Sequence, residues 1–260
     1  MKIFFIIDET LIMLPDWFNQ VINNLPKDIK VVGVTPAGHK NKQPTIFTYL
    51  YKNFLQLGAW SLIKLGFYLS HQCLKYLLFR LGLSHSPATI TQVAQKYHLK
   101  IINSNNVNSP NYLTRLRKVK PEVIVSSGSQ IFKKDLLSLP KTTCINRHSA
   151  ALPAYGGLFP IFRAMINREK KIGVTIHHMV EKVDKGKVIY QELFSVKKDD
   201  TLFSLYQKSY DISVRAIIKA LEIIQYHNKP IVIKNLKPSY YSFPTNKDWR
   251  TFFNKGNKFI

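Results

Sequence analysis

Cys144-Ile-Asn-Arg-His-Ser-Ala-Ala-Leu-Pro-Ala-Tyr-Gly-Gly157 decides how this chain is read, with Gly173-Val-Thr-Ile-His-His-Met179 and Glu181-Lys-Val-Asp-Lys-Gly186 downstream of it. An amide, an imidazole and a carboxylate stand among glycines at the ends of segments that read as strands. Asn146 and His148 are two apart, so on an extended segment both side chains face one side. Asn146 offers an amide N–H, and His148 an imidazole suited to neutral pH, so the pair can donate to a developing oxyanion or relay a proton. Asp184 lies between an apolar strand over 172–179 and Gly186. A carboxylate there either orients His148 or collects a proton from an attacking nucleophile. On spacing alone, the same three residues also fit a polar surface.

The rest of the chain supplies a frame for that stretch. Residues 3–7 are apolar throughout and read as a buried strand; Asp8 and Glu9 end the run too early for the core of a signal peptide. A helix opens at Leu14-Pro-Asp16 and runs to about 25, and a second parallel strand over 29–34 ends at Thr35-Pro-Ala-Gly38. The first loop, Asp8-Glu-Thr10, lacks the glycines of a dinucleotide site. Further on, Pro87 suits the first position of a helix reaching about 98, a short strand covers 100–102, and Ser109-Pro110 opens another helix. A strand over 123–125, a helix over 159–167, a strand over 188–196 and a helix from Asp200-Thr201 to about 226 complete an α/β pattern. The fold class expected is α/β: a Rossmann-like, mostly parallel sheet flanked by helices, with a helical insertion near 44–83 and a short C-terminal extension.

At 260 residues and 45% apolar content the chain can hold a substantial core. Its 38 Lys and Arg against 15 Asp and Glu give a formal charge of +23, which attracts nucleic acid, acidic lipid surfaces or phosphorylated substrates alike. The only cysteines, Cys73 and Cys144, lie far apart without metal-ligand spacing, so neither a disulfide framework nor a zinc site is indicated. Residues 44–83 are crowded with Phe, Tyr, Trp and Leu at helical spacing, and the cations Lys52, Lys64, Lys75 and Arg80 are their only charges. Two readings stand: amphipathic helices lying on an anionic membrane, or a helical insertion that packs on the sheet or forms a homodimer interface, the second preferred. The cations leave no uncharged run near the ~20 residues a spanning helix needs.

Asn-x-His, then Leu-Pro-x-Tyr-x-Gly, a helix, Gly-Val-Thr, and Asp-x-Gly before an apolar strand together resemble the formyltransferase family that uses 10-formyltetrahydrofolate. The resemblance covers roughly residues 90–195 and is closest to sugar N-formyltransferases. It implies an amine attacking the formyl carbon of the folate. Asn146 and His148 would hold the oxyanion, while Asp184 would position His148 and help carry the amine proton away. The resemblance places Gln130, Ile131 and Phe132 on one wall of the folate pocket and Met179, Val180 and Glu181 on the other. On the acceptor side it implies Ser149, Tyr155, Gly157, His178, Tyr240 and Tyr241, with His177 and His178 facing opposite sides of their strand. No metal is implied, because the formyl donor is already activated. The chain departs from the family in having Ala150-Ala-Leu-Pro153 where Ser-Leu-Leu-Pro is usual and Gly156 where Arg is usual.

The organisation expected is a catalytic domain over 1–227 and an aromatic, basic extension over 228–260. Methionyl-tRNA formyltransferases carry a further barrel of roughly a hundred residues, a typical domain size. The closing Pro238-Ser-Tyr-Tyr-Ser-Phe-Pro244 segment instead resembles those of sugar N-formyltransferases, so the acceptor expected is an amino sugar on a nucleotide diphosphate or lipid carrier. The competing readings are a tRNA-directed enzyme and a non-catalytic protein of the membrane surface. The compartment expected is the cytoplasm, with the inner face of the membrane as the alternative site.

Overall fold

A computed structural model describes residues 1–38 and 57–260. Its sheet is built outward from β1 (Lys2–Asp8), where Ile3, Phe5 and Ile7 enter one apolar cluster and Phe4 and Ile6 another. A strand buried on both faces is the mark of a parallel sheet covered by helices on each side. β1 pairs in parallel with β2 (Lys30–Ala37) and with β3 (Val123–Ser127). β4 (Thr143–His148) follows β3 in parallel, then β6 (Lys171–His178) and β7 (Val188–Ser195) add antiparallel steps, giving the order β2-β1-β3-β4-β6-β7. The sheet is therefore mostly parallel, with the α/β architecture expected.

One layer of helices, α1 (Leu14–Asn24), α3 (Ile90–Lys96) and α7 (Leu202–Tyr226), covers the face bearing Ile3, Phe5, Val125, Ile145 and Val174. The other, α4 (Pro110–Arg117) and α5 (Lys134–Leu137), covers Phe4, Ile6, Ile124 and Cys144. Two local readings shift. The helix expected from Pro87 starts at Ile90, because the Thr89 hydroxyl accepts the Gln92 N–H and ends the extended approach. β2 runs on through Pro36 to Ala37; it is the edge strand, where a residue without an N–H costs little. Of the insertion expected over 44–83, residues 44–56 lie outside the described residues, and the remainder is a single helix, α2 (Ala59–Arg80). No helix among the described residues is long and apolar enough to cross a membrane.

Residues 228–260 return to the body of the protein. Thr245 and Asp248 cap α8 (Asn246–Asn254), whose Trp249 and Phe252 rings lie 4.6 and 4.9 Å from Phe162 of α6 (Pro160–Ile166). Just before it, β8 (Tyr240–Tyr241) pairs with β5 (Gly156–Gly157) in a second, two-stranded sheet. That pairing brings the tail beside the end of β4.

Candidate active site

Strand parity decides which way each residue of β4 points. Ile145 packs toward α7 and Cys144 toward α5, so Asn146 and His148 share the Cys144 side and Arg147 shares the Ile145 side. The antiparallel register sets His177 opposite Asn146 and His178 opposite Ile145. His177 consequently joins Asn146 and His148, while the ring of His178 bonds to the Thr143 hydroxyl at 2.8 Å. The adjacent histidines do face opposite sides, and it is His177 rather than His178 that meets the cluster.

Asp184 sits between the two imidazoles. Its Oδ2 lies 3.7 Å from His148 Nδ1 and its Oδ1 3.7 Å from His177 Nε2. The carboxylate is fixed from a third side by the Gly157 N–H, which donates to Oδ2 at 2.7 Å. Its backbone is left-handed, φ 56°, a conformation uncommon for a residue with a side chain and held here by its surroundings. Two glycines make the approach feasible. A Cβ on Gly157, φ +86°, would strike the Tyr241 carbonyl oxygen, and one on Gly186 would strike the carbonyl oxygen of His178.

Hydrogen bonding fixes the tautomers. The Tyr155 carbonyl can only accept, so His148 donates to it through Nε2–H at 2.8 Å and turns Nδ1 to Asp184. His177 likewise donates Nδ1–H to the His178 carbonyl at 2.9 Å. Burial holds the His177 imidazole down to about 4, with the nearby Asp184 charge only partly opposing it, so the ring is neutral at neutral pH. Its Nε2 lone pair therefore accepts from the Asn146 amide at 3.4 Å. Among the described residues the second Asn146 N–H has no partner, and Asn146 is the half-exposed member of the group. The side chains of His148, His177 and Asp184 are 8, 3 and 6% exposed. A dry carboxylate backed by imidazoles accepts a proton, and an oriented amide N–H beside it can meet an oxyanion.

The remaining sequence candidates divide. Gln130 is buried and donates to the Gly38 carbonyl at 3.2 Å, whereas Ile131 is exposed and Phe132 packs into the core beneath α5. Met179 donates its N–H to the Cys144 carbonyl at 2.8 Å, which carries Val180 and Glu181 out into solvent at the end of β6. Tyr155 gives its carbonyl to His148, its hydroxyl to Glu169 at 2.6 Å, and stacks on Tyr241 at 5.9 Å. Tyr240 flanks Gly156 opposite Asp184 and leaves its ring 55% exposed. Ser149 is not brought to the cluster: its hydroxyl accepts from Arg147 at 2.7 Å on the far face. Cys144 is buried, and that burial pushes its thiol up to about 12, so it is held as the neutral thiol.

The sequence reading prefers His178 over His177 and does not single out Arg147. His177 is placed by long-range register, for which the sequence carries no local signal. Arg147 was legible by parity with Ile145. It is fully enclosed, donating to Ser213 at 2.9 Å and lying 3.8 Å over the Tyr210 ring, and burial lowers its pKa.

The sequence model of the family described as Formyl transferase matches residues 79–221, more than half of the chain. Methionyl-tRNA formyltransferase of Halothermothrix orenii is 38% identical over 141 residues, 54% of this chain and 44% of that protein. The bifunctional polymyxin resistance protein ArnA of Wigglesworthia glossinidia brevipalpis is 27% identical over 218 residues, 81% of this chain and 30% of that protein. The chain spans about half the length of the methionyl-tRNA relatives it matches. A sugar N-formyltransferase structure from a Shewanella species superposes with TM-score 0.58 at 19% identity, covering 98% of this chain and 87% of that one. A phosphoribosylglycinamide formyltransferase from Anaplasma phagocytophilum gives 0.60 at 13%, covering 94% and 99%. At these identities the likeness is one of fold.

Proposed function

Since this chain belongs to the formyl transferase family, we propose that it moves a formyl group from 10-formyltetrahydrofolate to the primary amine of an amino sugar carried on a nucleotide diphosphate or lipid. The observation that carries the reading is the convergence of Asn146, His148 and Asp184 at the end of β4. In the proposed reaction the amine nitrogen attacks the formyl carbon, whose oxygen becomes anionic. The Asn146 N–H turned away from His177 donates to that oxygen. The ammonium proton passes to the Asp184–His148 pair. Collapse of the tetrahedral intermediate breaks the bond to N10 of the folate, which takes up a proton and leaves as tetrahydrofolate. A single preorganised donor of this kind is worth about 3 kcal/mol of barrier.

The folate is assigned to the side where Ile131, Val180 and Glu181 stand exposed, with Gln130 steadying the turn after β3. The acceptor is assigned to the opposite rim, where the exposed Tyr240 ring stands beside Gly156 and Asp184. An open aromatic face suits stacking on a sugar or base. The sugar choice is also favoured by structures described as sugar N-formyltransferases and by an N-formyltransferase from Helicobacter canadensis in complex with folinic acid and dTDP-3-aminofucose. Formylation of methionyl-tRNA is the second reading, favoured by the sequence relatives and by the +23 charge.

Incubation with the formyl donor and either an amino-sugar nucleotide panel or methionyl-tRNA separates the two. Release of tetrahydrofolate only with an amino sugar is the expected result. Turnover only with tRNA replaces the acceptor, and none with either removes the catalytic reading.

A further inference from the structure

Helix α2 is apolar on both sides: Leu62 packs against the cluster of Phe162 and Trp249, while a second apolar row faces water. A surface helix ordinarily turns its apolar stripe to the core and its polar face to water. Here the one buried side chain of 22 is Gln72, with Leu65, Tyr68 and Leu69 partly buried beside it. Trp60, Ile63, Phe67, Leu74, Leu77 and Leu81 are all exposed, Phe67 by 76%. Their spacing of three, four, seven, three and four residues keeps them on one line, roughly 30 Å long at 1.5 Å per residue. The helix is fastened by its other side: Lys75 Nζ to Asp16 at 2.7 Å, Tyr68 edge-on to Phe203 at 5.0 Å, and the Tyr76 carbonyl to Gln92 at 3.0 Å. The outward apolar face is thus held in place, and no described residue covers it.

We propose that this face docks on an anionic phospholipid surface, a property separate from the formyl transfer above. The charges on the helix choose the occupant. It carries Lys64, Lys75 and Arg80 and no carboxylate. Lys75 is paired with Asp16, and the exposed Lys64 leans over the Trp60 ring and donates to the Ile260 carbonyl at 3.4 Å, which leaves Lys64 and Arg80 flanking the stripe with no side-chain carboxylate beside them among the described residues. A second copy laid along the stripe in either direction brings cations against cations, within a chain of formal charge +23. Acidic headgroups instead pair with them while the bulky side chains enter the acyl boundary, as interfacial helices do.

The full chain should sediment at low salt with vesicles of phosphatidylcholine doped with phosphatidylglycerol, and stay in solution with phosphatidylcholine alone. Phe67→Ser with Leu74→Ser removes apolar groups already in water, so the melting temperature should hold while vesicle affinity falls by roughly tenfold or more. Lys64→Glu with Arg80→Glu keeps the stripe and should abolish the preference for the anionic vesicles. Protein left in the supernatant at low salt overturns the proposal, as does equal binding to both vesicle types. So does a dimer, seen by sedimentation equilibrium, that the Phe67 and Leu74 pair dissociates while vesicles take up no protein.

Discussion

On one face of β4, Asp184 stands 3.7 Å from each of two imidazoles; on the other, Arg147 is enclosed with no carboxylate among the described residues, held by serine hydroxyls and the Tyr210 ring. The two faces place charge for different ends. Arginine cannot release its proton, so its cage of Ser149, Ser209 and Ser213 satisfies a fixed charge and ties β4 to α7. A carboxylate between imidazoles, beside a half-buried amide, has the arrangement that the proposed proton transfer needs. Neighbouring positions on one strand therefore separate the enclosed arginine from the proposed catalytic cluster by parity alone.

The comparison breaks most sharply at Asp184. Asp184→Asn keeps an acceptor for the Gly157 N–H, so the fold should stand, while turnover falls on the order of 10³–10⁴, as when a buried carboxylate behind an imidazole is neutralised. Activity within tenfold of the parent would remove Asp184 from the reaction. The opposite face should respond in stability. Arg147→Ala removes the donor that three serine hydroxyls share and opens a hole, an expected loss of about 3 kcal/mol in urea unfolding, and Arg147→Met should recover part of it by filling the volume.

A smaller effect sharpens the comparison by pH. His177 has its folded value below the ordinary 6.5, so the unfolded chain takes up the proton first. Stability should hold above pH 7 and fall as pH drops from 6.5 toward about 4, by roughly 2 kcal/mol between pH 7 and 5. His177→Asn should flatten that slope; an unchanged slope would place the titration elsewhere. The smallest change is expected at the rim. Tyr240→Ala should raise KM for the amino-sugar acceptor several-fold, about 1 kcal/mol of stacking, and leave kcat unchanged. A fall in kcat with KM fixed would count against a stacking role.

Much of this was legible in the sequence because the sheet is simple. Five apolar residues in a row announced β1, and the two-residue spacing of Asn146 and His148 announced their shared face. The same rule put His177 and His178 on opposite sides, yet it could not say which turned inward. That depends on the register of β6 against β4, set by residues some thirty positions apart. Phe132 reads as a cover for a flat ring, but the turn after β3 swings it under α5, where burial is available. The closing aromatics were visible as a cluster. Their packing on Phe162 was encoded by the Thr245–Asp248 cap and the three-residue step from Trp249 to Phe252, local signals that start a helix and give it one apolar side.

The most direct measurement sets the two faces side by side: tetrahydrofolate release by Asn146→Ala and Arg147→Met, at equal concentrations of folded protein, with the formyl donor and the accepted amine. The account predicts a loss of roughly 10²–10³ for Asn146→Ala, the usual cost of one oxyanion donor, and retention within a few-fold for Arg147→Met. Equal activities, or a greater loss in the Arg147 variant, would contradict it.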